Sequence, residues 1–158
     1  MLTQSRLKEV MSFDPETGLF TWLVSRGNGN AGSIAGCNSN GYIAIKIDGK
    51  SHKAHRLAWL YVYGSFPKHE LDHINHVKTD NRICNLRDVT HAQNKQNMRV
   101  ARTDNKSGLI GAMFFQGRWQ AKIMFDNKRR YLGTFATPEE AHSVYVEAKR
   151  KLHEFGTI

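Results

Sequence analysis

The stretch from Leu71 to Asn94 constrains this chain more than any other. Leu71–Ile74 and Leu86–Val89 are short runs of β-favouring character, and the connection between them, Asn75 to Asn85, is largely polar and reads as a long loop. Thr90 is a good helix N-cap, and Gln93 three residues later completes a capping box, so a helix from His91 to about Val100 is predicted. The order strand, long loop, strand, helix has few ways to fold and ends in a block of hydrogen-bonding side chains.

The remaining elements frame this unit. Thr3 to Met11 reads as a short helix with Leu7, Val10 and Met11 on one side. Asp14-Pro15 and Gly18 supply turn chemistry that leads into a strand ending near Leu23, and Arg26 to Gly36 is a Gly- and Asn-rich loop. Gly41 to Lys50 reads as a strand ending in an Asp48-Gly49 hairpin turn, with a return strand from Ser51 into His55. Arg56 to Tyr63 follows as a helix with Leu57, Leu60 and Val62 or Tyr61 towards the core, ended by Gly64 and Pro67. Beyond a polar, basic linker, three short strands are predicted near Ile110–Phe115, Trp119–Phe125 and Arg130–Phe135. A last helix opens with Thr137-Pro138-Glu139-Glu140, a second capping box with proline at the first helical position. The fold class is α+β. The predicted domains are 1–100, with its core motif at 71–100, a linker at 101–107, and a small three-stranded sheet backed by one helix at 108–158.

Charge narrows the partners. The formal net charge is +9, and between Lys95 and Arg130 nine basic residues face two acids, Asp104 and Asp126. Concentrated positive charge suits a polyanion, because each neutralised phosphate releases condensed counterions; a solvated basic surface has the same composition. No apolar run approaches the roughly 20 residues needed to span a bilayer, and the first ten residues lack a signal-peptide core, so a cytoplasmic protein with no membrane partner is expected. Cys37 and Cys84 belong to no Cys-x-x-Cys pair, which argues against a thiolate zinc site and a disulfide framework.

Within the 71–100 unit, His73 stands at the end of a strand with an unperturbed pKa near physiological pH, suited to taking a proton from water. Asp72 beside it projects to the opposite side of an ideal strand, so the two share a site only where the strand ends or twists. A carboxylate with an amide oxygen makes a hard ligand set that favours Mg²⁺ over zinc. His69, His73 and His76 would form a rival zinc constellation on a helix, but Pro67 and the β-favouring Leu71 and Ile74 argue against a helix there.

Asp72-His73, Asn85 in Asn-Leu-Arg, and Asn94 in the following helix resemble the HNH nucleases. The closest likeness is to the phage and homing branch, in which asparagine replaces the last histidine of the motif. Asn40-Gly41-Tyr42 and the segment His55 to Trp59 also resemble the region that precedes the motif in phage members. The resemblance covers roughly residues 13–100. It implies a ββα-metal core with His73 as general base, and Asp72 and Asn94 as ligands to one Mg²⁺ or Mn²⁺. It also implies that Asn85 holds the long loop and orients His73 by hydrogen bonding. Arg56 is a candidate phosphate contact, for which an ion pair is an equal explanation.

Ser107 to Gly111, Gly117 to Ile123, Tyr131 to Phe135 and Glu139 to His142 resemble the Apetala/ethylene-response-factor DNA-binding domain. That likeness implies that Arg118, Trp119, Lys122, Arg129 and Arg130 face double-stranded DNA, Arg forks suiting guanine edges or phosphates. The first strand, Ala112 to Phe115, lacks the arginines usual in that family, and a small structural module with Trp119, Tyr131 and Phe135 as core is the plainer alternative. For the whole chain the resemblances imply a metal-dependent DNA endonuclease, monomer or homodimer, with no small-molecule cofactor. The alternatives are a non-catalytic DNA-binding regulator with a decayed nuclease domain, and a nuclease acting on RNA.

Overall fold

The computed structural model describes residues 1–25, 29–97, 101, 103, 105–126 and 128–153. The chain forms two compact units, Met1–His91 and Ala92–Ile158, and the fold is α+β with small antiparallel sheets. The division lies ahead of the 101–107 segment read as a linker.

The first unit opens with α1 (Gln4–Val10), capped by the Thr3 hydroxyl, which accepts a hydrogen bond from the Arg6 amide at 3.2 Å. Met11 was expected to end this helix; instead it is extended, with φ −144°, and begins β1 (Met11–Asp14). Strand alternation then buries Met11 and Phe13 together. β1 pairs with β2 (Leu19–Trp22) across the Asp14–Gly18 turn. A three-stranded sheet follows, ordered β3 (Cys37–Ser39), β4 (Tyr42–Ile47) and β5 (Lys50–Lys53), of which β3 was not expected. Asp48 and Gly49 both have positive φ, 47° and 81°, as the predicted two-residue hairpin requires.

α2 (Ala54–Tyr63) begins two residues earlier than predicted and takes His55 out of the strand into the first helical turn. Ala54, Leu57, Ala58 and Leu60 are spaced for one helix face, and all four are buried. β6 (Glu70–His73) and β7 (Leu86–Val89) form the expected two-stranded hairpin, with a 3₁₀ turn at Ile83–Asn85. The unit's core joins Leu7, Met11, Phe20, Ile45, Ile47, Leu57 and Leu86. Each such side chain contributes about 1.5–3 kcal/mol on burial, so this core, and not the polar loop it carries, holds the unit together.

α3 (His91–Gln96) spans the division between units; residues 98–100, where the predicted helix was to end, lie outside the described residues. The second unit contains β8 (Ala112–Phe115), β9 (Arg118–Phe125) and β10 (Lys128–Phe135) in the order β10-β9-β8, and α4 (Pro138–Leu152). The predicted capping box is present: Thr137 accepts from the Glu140 amide at 3.2 Å, and the Glu140 carboxylate accepts from the Thr137 amide at 3.4 Å. Ala141 of α4 packs with Ala112 and Ala121 of the sheet, flanked by Trp119, Leu132 and Phe135.

Candidate active site

β6 and β7 pair in register, with Asp72 opposite Arg87 and His73 opposite Leu86. The pleat sends adjacent side chains to opposite faces, so Asp72 and His73 leave β6 in different directions. Asp72 meets its cross-strand neighbour: Arg87 donates from Nε and a terminal nitrogen to Oδ2 at 2.9 and 2.7 Å. The sequence reading did not include this ion pair. His73 turns into the unit and is 6% exposed.

Two further residues missed in the sequence define the surroundings of His73. The first is His55, on α2, whose ring stands edge-on to His73 with centroids 5.0 Å apart. Tyr42 completes the cluster, its centroid 5.3 Å from His55 and 6.1 Å from His73. The second is Asn81, a buried loop residue whose Oδ1 lies 3.4 Å from His73 Nε2. Asn81 Nδ2 donates to the Thr79 carbonyl at 3.3 Å, which turns the amide oxygen towards His73. An amide oxygen only accepts, so this contact fits the tautomer with the proton on Nε2 and the lone pair on Nδ1.

Burial pushes the His73 pKa down, against the opposing effects of Asn81, Asp72 and Asp80, and the Lys78 charge lowers it further. Burial thus favours the neutral ring. His55 is pushed down to about 3 by burial, then by the charges of His73, Lys53 and Arg56. The sign of the linkage follows: the unfolded chain takes up the His55 proton near the ordinary value of 6.5, the folded chain only near 3. This contribution to stability is complete above pH 6.5 and is lost as pH falls towards 3, at a limiting slope of about 1.4 kcal/mol per pH unit. Urea denaturation across this window should show the acid loss shrinking in His55→Asn; an identical loss in both proteins would remove His55 as its cause.

Asn85 makes hydrogen bonds across the loop between β6 and β7. Its Oδ1 accepts from the Asn75 amide at 3.0 Å, its Nδ2 donates to the Asp80 carbonyl at 2.8 Å, and its carbonyl accepts from the Ile74 amide at 2.9 Å. Among the described residues the side-chain hydrogen bond to His73 comes from Asn81, not from Asn85. Asp80 stiffens the same loop, accepting from Asn75 Nδ2 at 2.7 Å and from Arg82 at 2.7 and 2.8 Å. Arg82 holds the Asp80 carboxyl down to about 2.

The other predicted residues scatter. The Arg56 guanidinium lies 5.7 Å from the Phe66 ring centroid, within cation–π range. Asn94, on α3, is half-buried and belongs to the second unit. His69 pairs with Asp88 at 3.4 Å, and residues 70–73 are strand, so the three histidines do not share a helix face. Among the described residues no group of three or more His, Cys, Asp or Glu side chains could hold a metal ion. The Asp72 carboxylate, shared with Arg87, is a hard oxygen donor of the kind a divalent ion takes.

In the second unit the register sorts the predicted DNA-facing residues. Cross-strand partners share a face. Arg118 opposite Phe115, Lys122 opposite Tyr131 and Arg129 opposite Met124 lie on the face away from Ala121 and Ile123. Trp119 instead packs towards α4, and Arg130, opposite the buried Ile123, lies on that same side with its guanidinium 4.6 Å from the Phe125 ring centroid. Phe115, Met124 and Tyr131 are exposed on the first face, where Lys122 Nζ sits 5.8 Å from the Phe115 ring centroid.

Residues 52–96, from the end of the second sheet through α2, the β6–β7 hairpin and α3, match the family model described as HNH endonuclease. This supports an HNH nuclease domain in that part of the chain. No curated protein and no solved structure matches the sequence. Among the described residues no helix is long and apolar enough to cross a membrane.

Proposed function

We propose that the chain is a metal-dependent DNA endonuclease of the HNH type, in the His-Asn-Asn variant of the phage and homing branch. The observation that carries this reading is the buried His73, with Asn81 Oδ1 beside its Nε2, inside the span that matches the HNH family. In the reaction, His73 Nδ1 takes a proton from water as its oxygen adds to phosphorus; the bond to the 3′ oxygen breaks and that oxygen takes a proton from solvent, leaving 5′-phosphate and 3′-hydroxyl ends. Asn81 holds the ring and Asn85 closes the loop that carries Asn81. Asp72 and Asn94 would hold one Mg²⁺ or Mn²⁺, which when bound neutralises charge on the phosphate and the departing oxygen.

The second unit would tether the enzyme to double-stranded DNA through Arg118, Lys122 and Arg129, raising the local concentration of the scissile strand. Its sheet-and-helix architecture and its basic, aromatic outer face support the likeness to Apetala/ethylene-response-factor domains. Trp119 and Arg130 lie towards α4 and contribute less to such a surface. In functional terms the domains are 1–100 and 108–158, joined by 101–107. One active site per chain makes a nick the simpler event, and a double-strand break would take two copies.

The test is incubation of supercoiled plasmid and matched RNA with purified protein, with Mg²⁺, Mn²⁺ or EDTA. The expected result is nicking of DNA that requires a divalent ion and stops on chelation. Tight DNA binding with no cleavage in any metal would favour the non-catalytic regulator, and preferential RNA cleavage would reassign the substrate.

A further inference from the structure

Two lysines converge on one aromatic ring at the edge of this site. Lys53 is the last residue of β5, and its Nζ lies 4.2 Å from the Tyr42 ring centroid. Lys78 belongs to the loop between β6 and β7, just after His76, whose φ is +66°; its Nζ lies 5.0 Å from the same centroid. The two ammonium groups therefore cannot be further apart than the sum of those distances, about one screening length at physiological salt. Both are exposed, and among the described residues neither pairs with a carboxylate.

A single π-face attracts each cation, but two like charges sharing it repel each other, and a carboxylate that would relieve this is lacking among their described contacts. An anion between or beside the two would relieve that repulsion. Tyr42 sits 6.1 Å from His73 and 5.3 Å from His55, so that anion would lie next to the general base.

We propose that Lys53 and Lys78, mounted on the Tyr42 ring, clamp a backbone phosphodiester of the nucleic acid strand beside His73. The clamp rests on the nuclease reading for the identity of its ligand and adds substrate-binding residues to it. Tyr42 is then the shelf that sets the height of both ammonium groups, and β4, β5 and the 75–85 loop are the three elements that bring the clamp together. Nothing in the local sequence marks these lysines, which come from separate segments.

The experiment compares wild type with K53A, K78A, the double K53A/K78A variant and the charge-keeping K53R/K78R. Cleavage is read on supercoiled plasmid, and binding on a fluorescein-labelled duplex over a salt series in the His73→Ala background. Each alanine should reduce the slope of log affinity against log salt by about 1, and the double variant by about 2. The double variant should also lose kcat/KM, mainly through KM, with the arginine pair restoring most of it. Unchanged kcat/KM and salt slope in K53A/K78A, with wild type cutting DNA, would overturn the clamp and leave the nuclease reading intact. A wild type that binds but does not cut, with the slope still reduced by the alanines, would support the clamp and remove the nuclease reading. Loss of affinity equal in the alanine and arginine pairs would overturn the clamp, since charge would then not be the cause.

Discussion

His73→Ala is expected to cleave DNA at least about a hundred-fold more slowly than wild type, the lower end of what a positioned general base supplies. The expectation rests on three features of one ring. It is buried, so its charged form is disfavoured; its Nε2 faces an amide oxygen that can only accept; and its edge is packed against His55 and Tyr42. A base so held loses little orientational freedom before reaction, and alanine restores neither the lone pair nor the packing. Removing a ring from this cluster also leaves a void, so the rate must be measured on protein whose thermal transition shows it folded. Duplex affinity should stay near that of wild type, since the phosphate contacts proposed for Lys53, Lys78 and the second unit remain. A rate within a few-fold of wild type on folded protein would remove His73 from the chemistry.

Gly18→Ala should be the most damaging single methyl in the first unit. Gly18 has φ +73°, and a Cβ there would sit 2.5 Å from the Arg82 nitrogen and 2.6 Å from the Asn81 carbonyl carbon. Both neighbours are backbone and cannot swing aside as a side-chain tip could. The left-handed conformation costs an L-residue about 1–2 kcal/mol, and displacing packed backbone adds about 1–3 kcal/mol. For a unit of this size the melting temperature should fall by about 10 °C or more. The displaced segment carries Asn81, so cleavage measured well below the melting transition should fall as well. The turn at Gly18 thus acts as a stop behind the loop that orients the base. Wild-type melting together with wild-type cleavage in Gly18→Ala would refute this coupling.

Much of the architecture was legible because it is local. The short strand run Leu86–Val89, the Asp48-Gly49 turn and the Thr137–Glu140 capping box each involve residues a few positions apart, and each forms where expected. Local signals also competed. Met11 fits the apolar side of α1 as well as the inner face of β1, and pairing with Trp22 on β2 decides for the strand. His55 fits a β5 extension until the buried Ala54, Leu57, Ala58 and Leu60 draw it into α2. In the second unit the parity of β9 separates Arg118 and Lys122 from Trp119, a division that strict alternation predicts and the family likeness overlooked. The register irregularity between Tyr131 and Gly133 has no comparable signal in the chain.

The sequence by itself determined the α+β class, the strand–loop–strand unit with a histidine at its first strand's end, and the basic sheet-and-helix module. It did so because strand period, turn chemistry and helix caps depend on near neighbours along the chain. Only the tertiary structure decided that His55 and Asn81 flank His73, that Arg87 engages Asp72, and that Lys53 and Lys78 meet over Tyr42. Those contacts join segments far apart in sequence, and they exist because one apolar core fixes the relative positions of α2, β4 and the β6–β7 hairpin.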